Sequence, residues 1–244
     1  MFSEVDVNNR RALITGANSG IGAATAKMLA QAGFTLTLIV RSKDKRRSLL
    51  NELVALGIQA EVFAIDLSEV DRVKPNIEKA IAAYESIDVL VNCAGMGYTG
   101  RIGEMPLTDW QQILDLNVTS VFQVIQAVLP SMRSQKNGII VNIASIAAHQ
   151  SFPDWGAYSV SKAALVALSG AVTAEEADNG IRVVTISPGA VNTPIWESST
   201  VQANFDRSQM LQADTIAQTI LHTISLPSNA VISHLTITPS QGAL

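Results

Sequence analysis

Short runs of consecutive apolar residues alternate along the chain with longer stretches in which apolar residues recur every three or four positions. RALIT (11–15), TLTLIV (35–40), EVFAI (61–65), DVLVN (88–92), GIIVNIA (138–144), IRVVTIS (181–187) and VISHLTIT (231–238) read as strands. Helical patterns fill the gaps at 20–32, 43–56, 69–84, 108–134, 155–178 and 213–225. Strands that are apolar throughout, without alternation, are buried on both faces. Strand–helix alternation of this kind predicts an α/β fold: a doubly wound parallel sheet of about seven strands with helices on both faces. No repeat or linker divides residues 1–244, so a single domain is expected. Ligands of such sheets sit where the strands end, so the informative residues should follow strands.

Composition narrows the class. Hydrophobic residues make up 48% and charged residues 16%, enough for a large core. A net charge of -4 and a pI near 5.4 disfavour a nucleic-acid partner. The single cysteine, Cys93, allows no internal disulfide, which suits a reducing compartment. The N-terminus is polar and lacks a signal-peptide layout, and the apolar runs are short. A cytoplasmic protein without a membrane span is expected. Three histidines and one cysteine show no metal-ligand spacing, so no metal is expected.

The first strand runs into Thr15-Gly16-Ala17-Asn18-Ser19-Gly20-Ile21-Gly22 and then a helix. Gly16 can make the tight turn, Gly20 admits a pyrophosphate close to the backbone, and Gly22 lets helix and strand pack. The free N–H groups and dipole of the helix start favour an anion. After the second strand come Val40 and Arg41, then Lys43, Lys45, Arg46 and Arg47. An acid at the strand end would bind ribose hydroxyls and repel a 2′-phosphate; an arginine fork suits phosphate instead. The missing acid points to NADP(H), with NAD(H) as the other possibility. Ser19 weakens that case slightly, since many NADP enzymes carry a basic residue there.

Further along are VNCAG (91–95), LNV (116–118), Ser145, YSVSK (158–162) and PG (188–189). With TGANSGIG (15–22), this ordered set resembles the short-chain dehydrogenase/reductase family, from about Arg10 to the C-terminus. The resemblance implies a Rossmann fold and hydride transfer between NAD(P) and an alcohol or ketone. It implies catalytic roles for Asn117, Ser145, Tyr158 and Lys162. It assigns Gly16, Asn18, Ser19, Gly20, Ile21, Gly22, Arg41, Asp66, Leu67, Asn92, Ala94, Gly95, Tyr158, Lys162, Pro188, Gly189, Val191 and Thr193 to the cofactor. In the family, the asparagine kinks its helix and holds a relay water, and the serine binds the substrate oxygen. The tyrosine is the acid/base, and the lysine binds the ribose and acidifies the tyrosine. Cys93 departs from the usual NNAG, with little effect expected. The tail, LPSNAVISHLTITPSQGAL, lacks the usual TG and DGG signatures and is similar to NADP-dependent 3-hydroxy acid dehydrogenases.

The chemistry explains the spacing. Tyr158 and Lys162 are four apart and share a helix face. A free phenol titrates near pH ~10, and a neighbouring cation favours the phenolate. Lowering its pKa by about three units takes roughly 4 kcal/mol. Ser145 would orient the substrate oxygen while Tyr158 exchanges its proton.

The substrate pocket is expected between Gly95–Arg101, Ile146–Trp155 and the loop 192–212. Trp155, Trp196 and Phe205 could line it or simply pack. His149 could face substrate or solvent, and Arg101 could bind a carboxylate or stay solvated. The leading substrate is a small secondary alcohol or ketone, with a 3-hydroxy acid favoured by the tail. A 3-oxoacyl thioester, a sugar or a steroid-like carbonyl are alternatives, as is a non-catalytic NADP-binding sensor. The family resemblance suggests a homotetramer; a dimer is also compatible with the sequence.

Overall fold

The computed structural model describes residues 10–84, 86–203 and 205–242. In chain order the elements are β1 (Arg11–Thr15), α1 (Gly20–Gln31), β2 (Thr35–Val40), α2 (Lys43–Ala55), β3 (Ala60–Ala64), α3 (Val70–Ile81) and β4 (Val89–Asn92). There follow α4 (Leu107–Leu114), α5 (Ser120–Gln135), β5 (Gly138–Ile143), α6 (Gly156–Glu176) and β6 (Ile181–Pro188). The last are β7 (Val191–Asn192), β8 (Leu211–Gln212), α7 (Ala213–Ile224) and β9 (His234–Ile237). Seven strands form one parallel sheet in the order β3-β2-β1-β4-β5-β6-β9, as the apolar pattern predicts.

Alternation within each central strand feeds two cores. Ala12 and Ile14 of β1 face one side and pack with Leu29 of α1, Leu53 of α2 and Ile220 of α7. Leu13 faces the other side, with Ile77 of α3, Val128 of α5 and Leu165 of α6. The central strands β4 and β5 are buried along their whole length, while the edge strands β3 and β9 are partly covered or exposed at every position except Val62. The exposed positions of the edge strands include the polar residues Glu61 and His234.

Two features depart from the sequence pattern. The helix expected over 108–134 is interrupted by a π-helical turn, Asp115–Thr119, in which the Ser120 N–H reaches back to the Asp115 carbonyl. Such a turn inserts one residue without breaking the apolar stripe, so periodicity hides it. The two-residue strands β7 and β8 pair with each other, and Leu211 N–H also donates to the Ala190 carbonyl at 3.0 Å. This pairing closes the base of the 192–212 loop.

The sheet changes winding direction at β1, whose neighbours are β2 and β4. The carboxyl ends of β1 and β4 open a crevice there. Thr15 pins it from one side: its hydroxyl accepts from the backbone N–H of Cys93 at 3.2 Å and of Ala94 at 3.1 Å.

Candidate active site

A cavity of about 960 Å³ lies over the carboxyl ends of the strands. Its floor at one end is the β1–α1 loop. Gly16 sits at φ +66, and a Cβ there would lie 2.9 Å from the Ala94 backbone. A Cβ on Gly22 would lie 2.4 Å from the Gly16 carbonyl oxygen. Both positions therefore exclude larger residues for definite reasons. Ser19 precedes α1 but makes no side-chain cap. The first N–H groups of this helix are left for another acceptor, while Ser19, Gly20, Ile21 and Gly22 line the cavity. These residues fit the phosphates of a dinucleotide.

Arg41, Lys45, Asp66, Leu67 and Ser68 extend this end of the cavity beyond β2 and β3. Arg41 is exposed, and Arg46 is turned away to the Val62 carbonyl, at 2.6 Å. The Asp66 carboxylate is held by the N–H and hydroxyl of Ser68 at 2.9 and 2.7 Å. Ala94, Gly95, Pro188, Gly189, Val191 and Thr193 line the central section, and Asn18 lies with the loop.

At the other end Ser145, Tyr158 and Lys162 converge on the cavity. Ser145 ends the segment after β5, and its hydroxyl accepts from Ala147 N–H at 3.1 Å. Tyr158 and Lys162 project from the first turns of α6, and the Lys162 Nζ lies 5.7 Å from the Tyr158 ring centroid. Nζ donates to the Ile143 carbonyl at 2.9 Å. Burial pulls Lys162 down to about 8.

Burial also pushes the Tyr158 phenol above its ordinary pKa, and the Ser145 hydroxyl works against it. From the sequence, Lys162 together with an oxidised nicotinamide ring is expected to acidify this tyrosine. Among the protein groups alone the balance runs the other way, because burial disfavours the charged phenolate.

Two sequence-assigned residues lie behind the cavity wall instead of lining it. Asn117, in the π-helical turn, is buried. It accepts from Met96 N–H at 2.9 Å and donates to the Met96 carbonyl and the Ser161 hydroxyl, each at 3.0 Å. It is a positioning residue. Asn92, assigned to the cofactor, is also buried and donates to Asn142 at 2.8 Å, continuing to Ser169 at 2.8 Å. Its side chain ties β4 to β5 across the register pair Asn92–Asn142.

Other residues gain roles that the sequence did not announce. Thr15, Ser161 and Ser68 act through partners far along the chain or by flanking a known motif. His149 is exposed; it and His234 meet the Ser187 hydroxyl at 3.1 and 3.0 Å, away from the cavity lining. Arg101 pairs loosely with Asp154, at 4.0 Å, and does not line the cavity either. Among the described residues no three His, Cys, Asp or Glu side chains cluster as metal ligands.

Comparison with known proteins adds four findings. The family model described as short chain dehydrogenase matches residues 10–204. An uncharacterized oxidoreductase of Staphylococcus haemolyticus is 32% identical over 234 residues, spanning 96% of this chain and 99% of the relative. Among solved structures, a metagenomic short-chain oxidoreductase in complex with NADP superposes with TM-score 0.83 at 29% identity, covering 97% of this chain and 99% of that one. A 7α-hydroxysteroid dehydrogenase complexed with NADH and 7-oxo-glycochenodeoxycholic acid superposes with TM-score 0.87 at 28% identity, covering 97% and 95%.

Proposed function

The chain belongs to the short-chain dehydrogenase family, and from that premise we propose that it interconverts a small secondary alcohol and its ketone, with NADP(H) preferred and Tyr158 as the proton donor. It is an oxidoreductase acting on CH–OH groups with a nicotinamide dinucleotide. The observation that carries the proposal is the convergence of Ser145, Tyr158 and Lys162 on the cavity that begins at the uncapped start of α1.

When bound, the nicotinamide supplies or accepts the hydride at the carbinol carbon. The chain's residues do the rest. The α1 N-terminus and the 15–22 loop hold the pyrophosphate. Lys162 serves the ribose hydroxyls from its place on the Ile143 carbonyl. Ser145 orients the substrate oxygen, and Tyr158 gives that oxygen a proton in reduction or takes it in oxidation. Burial raises the phenol's pKa and so disfavours the phenolate. Asn117 and Ser161 fix the Met96 segment against α6.

The preference for NADP(H) rests on three residues. Val40 stands where an acid would repel a 2′-phosphate, and Arg41 and Lys45 border the cavity beside it. Similar folds hold NADP or NADH, so the choice lies in these side chains. NAD(H) is then the poorer partner.

The 3-hydroxy acid suggested by the tail is one member of the substrate class. Its carboxylate needs a cation at the substrate end, and Arg101 is outside the cavity. The proposal therefore favours the neutral members.

A homo-oligomer, a tetramer or else a dimer, is part of the same reading. Phe122 and Val160, on the two long helices, are 43% and 45% exposed and would be covered by another copy. Light scattering of the purified protein measures this directly. The activity is tested by following NADPH consumption at neutral pH with a panel of ketones. Steady consumption with at least one supports the reading; NADPH binding without consumption across the panel favours a sensor.

A further inference from the structure

The substrate end of the cavity carries a continuous aromatic wall. Trp155 meets the Tyr158 ring edge to face, with centroids 5.3 Å apart and planes at 71°. Trp196 meets Trp155 at 5.7 Å and 67°, and Phe205 meets Trp196 at 5.4 Å and 81°. All four rings line the cavity. The wall is assembled from two segments, one just before α6 and one in the 192–212 loop. The Trp196 indole N–H is already used, donating to the Val191 carbonyl at 2.8 Å. Trp196 therefore offers the cavity ring surface and no hydrogen-bond donor, in an orientation fixed by that bond.

The same end is poor in cations. Of the basic residues that line the cavity, Arg41 and Lys45 follow β2, three strands away from β5 in the sheet. At the usual strand spacing that is roughly 14 Å. Lys162 is held on the Ile143 carbonyl. Arg207, within the 192–212 loop, is spent on Asn192 at 2.8 Å, Glu197 at 2.6 Å and the Thr193 carbonyl at 3.3 Å. Arg101 faces Asp154 at 4.0 Å and is 78% exposed. A carboxylate or phosphate on the substrate would be stripped of water beside the aromatic rings without a matching charge.

From these two observations together we propose that the substrate is a neutral ketone, or its alcohol, bearing a flat aromatic substituent seated against Trp155 and Trp196. Ring contacts of this kind reward a flat apolar group over an alkyl chain of equal size, and they lie next to the phenol that must reach the carbonyl oxygen. The inference rests on Tyr158 being the proton donor at this site; it adds which carbonyls reach it.

The test compares 4-phenylbutan-2-one, butan-2-one and 3-oxobutanoate as substrates with NADPH, in the parent protein and in Trp196→Ala and Trp196→Phe. In the parent, kcat/KM should be about a hundredfold higher for the phenyl ketone than for 3-oxobutanoate, a difference of two affinity decades. In Trp196→Ala the ratio of phenyl-ketone to butanone kcat/KM should fall about tenfold, chiefly through KM. Trp196→Phe should restore most of that ratio. Quenching of tryptophan fluorescence by 4-phenylbutan-2-ol in Tyr158→Phe reads binding without turnover and guards against loss of the fold. Equal reduction of the phenyl ketone and 3-oxobutanoate, or an unchanged ratio in a folded Trp196→Ala, overturns the substrate inference while leaving the oxidoreductase reading intact. No reduction of any of the three, with NADPH still bound, overturns the reading on which it rests.

Discussion

The Asn117 side-chain amide donates to the Ser161 hydroxyl at 3.0 Å, and that hydroxyl donates to the Tyr158 carbonyl at 2.7 Å. The π-helical turn is thereby linked to the very turn of α6 that carries the phenol. The same amide brackets both backbone groups of Met96. Asn117 thus couples the segment after β4 to α6 without itself entering the cavity.

Asn117→Ala leaves the Met96 N–H and carbonyl without their side-chain partner at the half-buried cavity wall. The loss should be about 1–2 kcal/mol of stability, at the low end for two stranded backbone groups because water can reach the cavity. Thermal unfolding measures it. Turnover should fall while NADPH affinity changes little, because the phosphate loop is untouched.

Arg41→Ala should lower kcat/KM for NADPH by about ten- to a hundredfold, the worth of a hydrogen bond to a charged group. The NADPH-to-NADH ratio should fall by a similar factor. Parallel kinetics with both dinucleotides check this. An equal loss for both would place Arg41 away from the 2′-phosphate.

Lys162 costs the fold stability at neutral pH. Burial holds its pKa at about 8, below the model-compound value of 10.5. Between those pH values the unfolded lysine keeps a proton that the folded one has released. Stability from this group is therefore gained as pH rises from 8 to 10.5 and lost as pH falls back through that window. The depression corresponds to roughly 3 kcal/mol. Lys162→Met, inactive by design, should be more stable than the parent at pH 7 by about 2 kcal/mol after losing the Ile143 bond. Denaturant titrations should show the gap closing toward pH 10.

Gly22→Ala forces a methyl group to within 2.4 Å of the Gly16 carbonyl oxygen. Backbone must move, at a cost of about 1–3 kcal/mol, and the phosphate loop moves with it. NADPH affinity, measured by the nucleotide's own fluorescence, should fall at least tenfold. Normal affinity would mean that the loop tolerates a shift and does not grip the pyrophosphate closely.

The fold was legible because buried parallel strands have no polar face to hide; β1, β2, β4, β5 and β6 fall within a residue of where their apolar runs lie. The last strand is shorter than its pattern, His234–Ile237. The phosphate loop and the Tyr158/Lys162 spacing were readable as local motifs. Roles that depend on distance across the chain were not. Thr15 meets Cys93 and Ala94 some eighty positions later, and nothing near residue 15 signals it. Ser161 sits inside a recognised motif, yet its partner is Asn117. Asn92 looked like a cavity residue because its neighbours Ala94 and Gly95 are; its own side chain turns into the sheet toward Asn142. The burial that raises the Tyr158 pKa was also not legible in the sequence.

The most direct measurement is single-turnover and steady-state NADPH oxidation by Tyr158→Phe, together with its NADPH affinity. Removing the phenol hydroxyl should cut the rate of ketone reduction by about 10²- to 10⁴-fold, the range for a lost proton donor, with NADPH affinity within about threefold of the parent. A variant that reduces ketones at the parent rate would contradict the account at its centre.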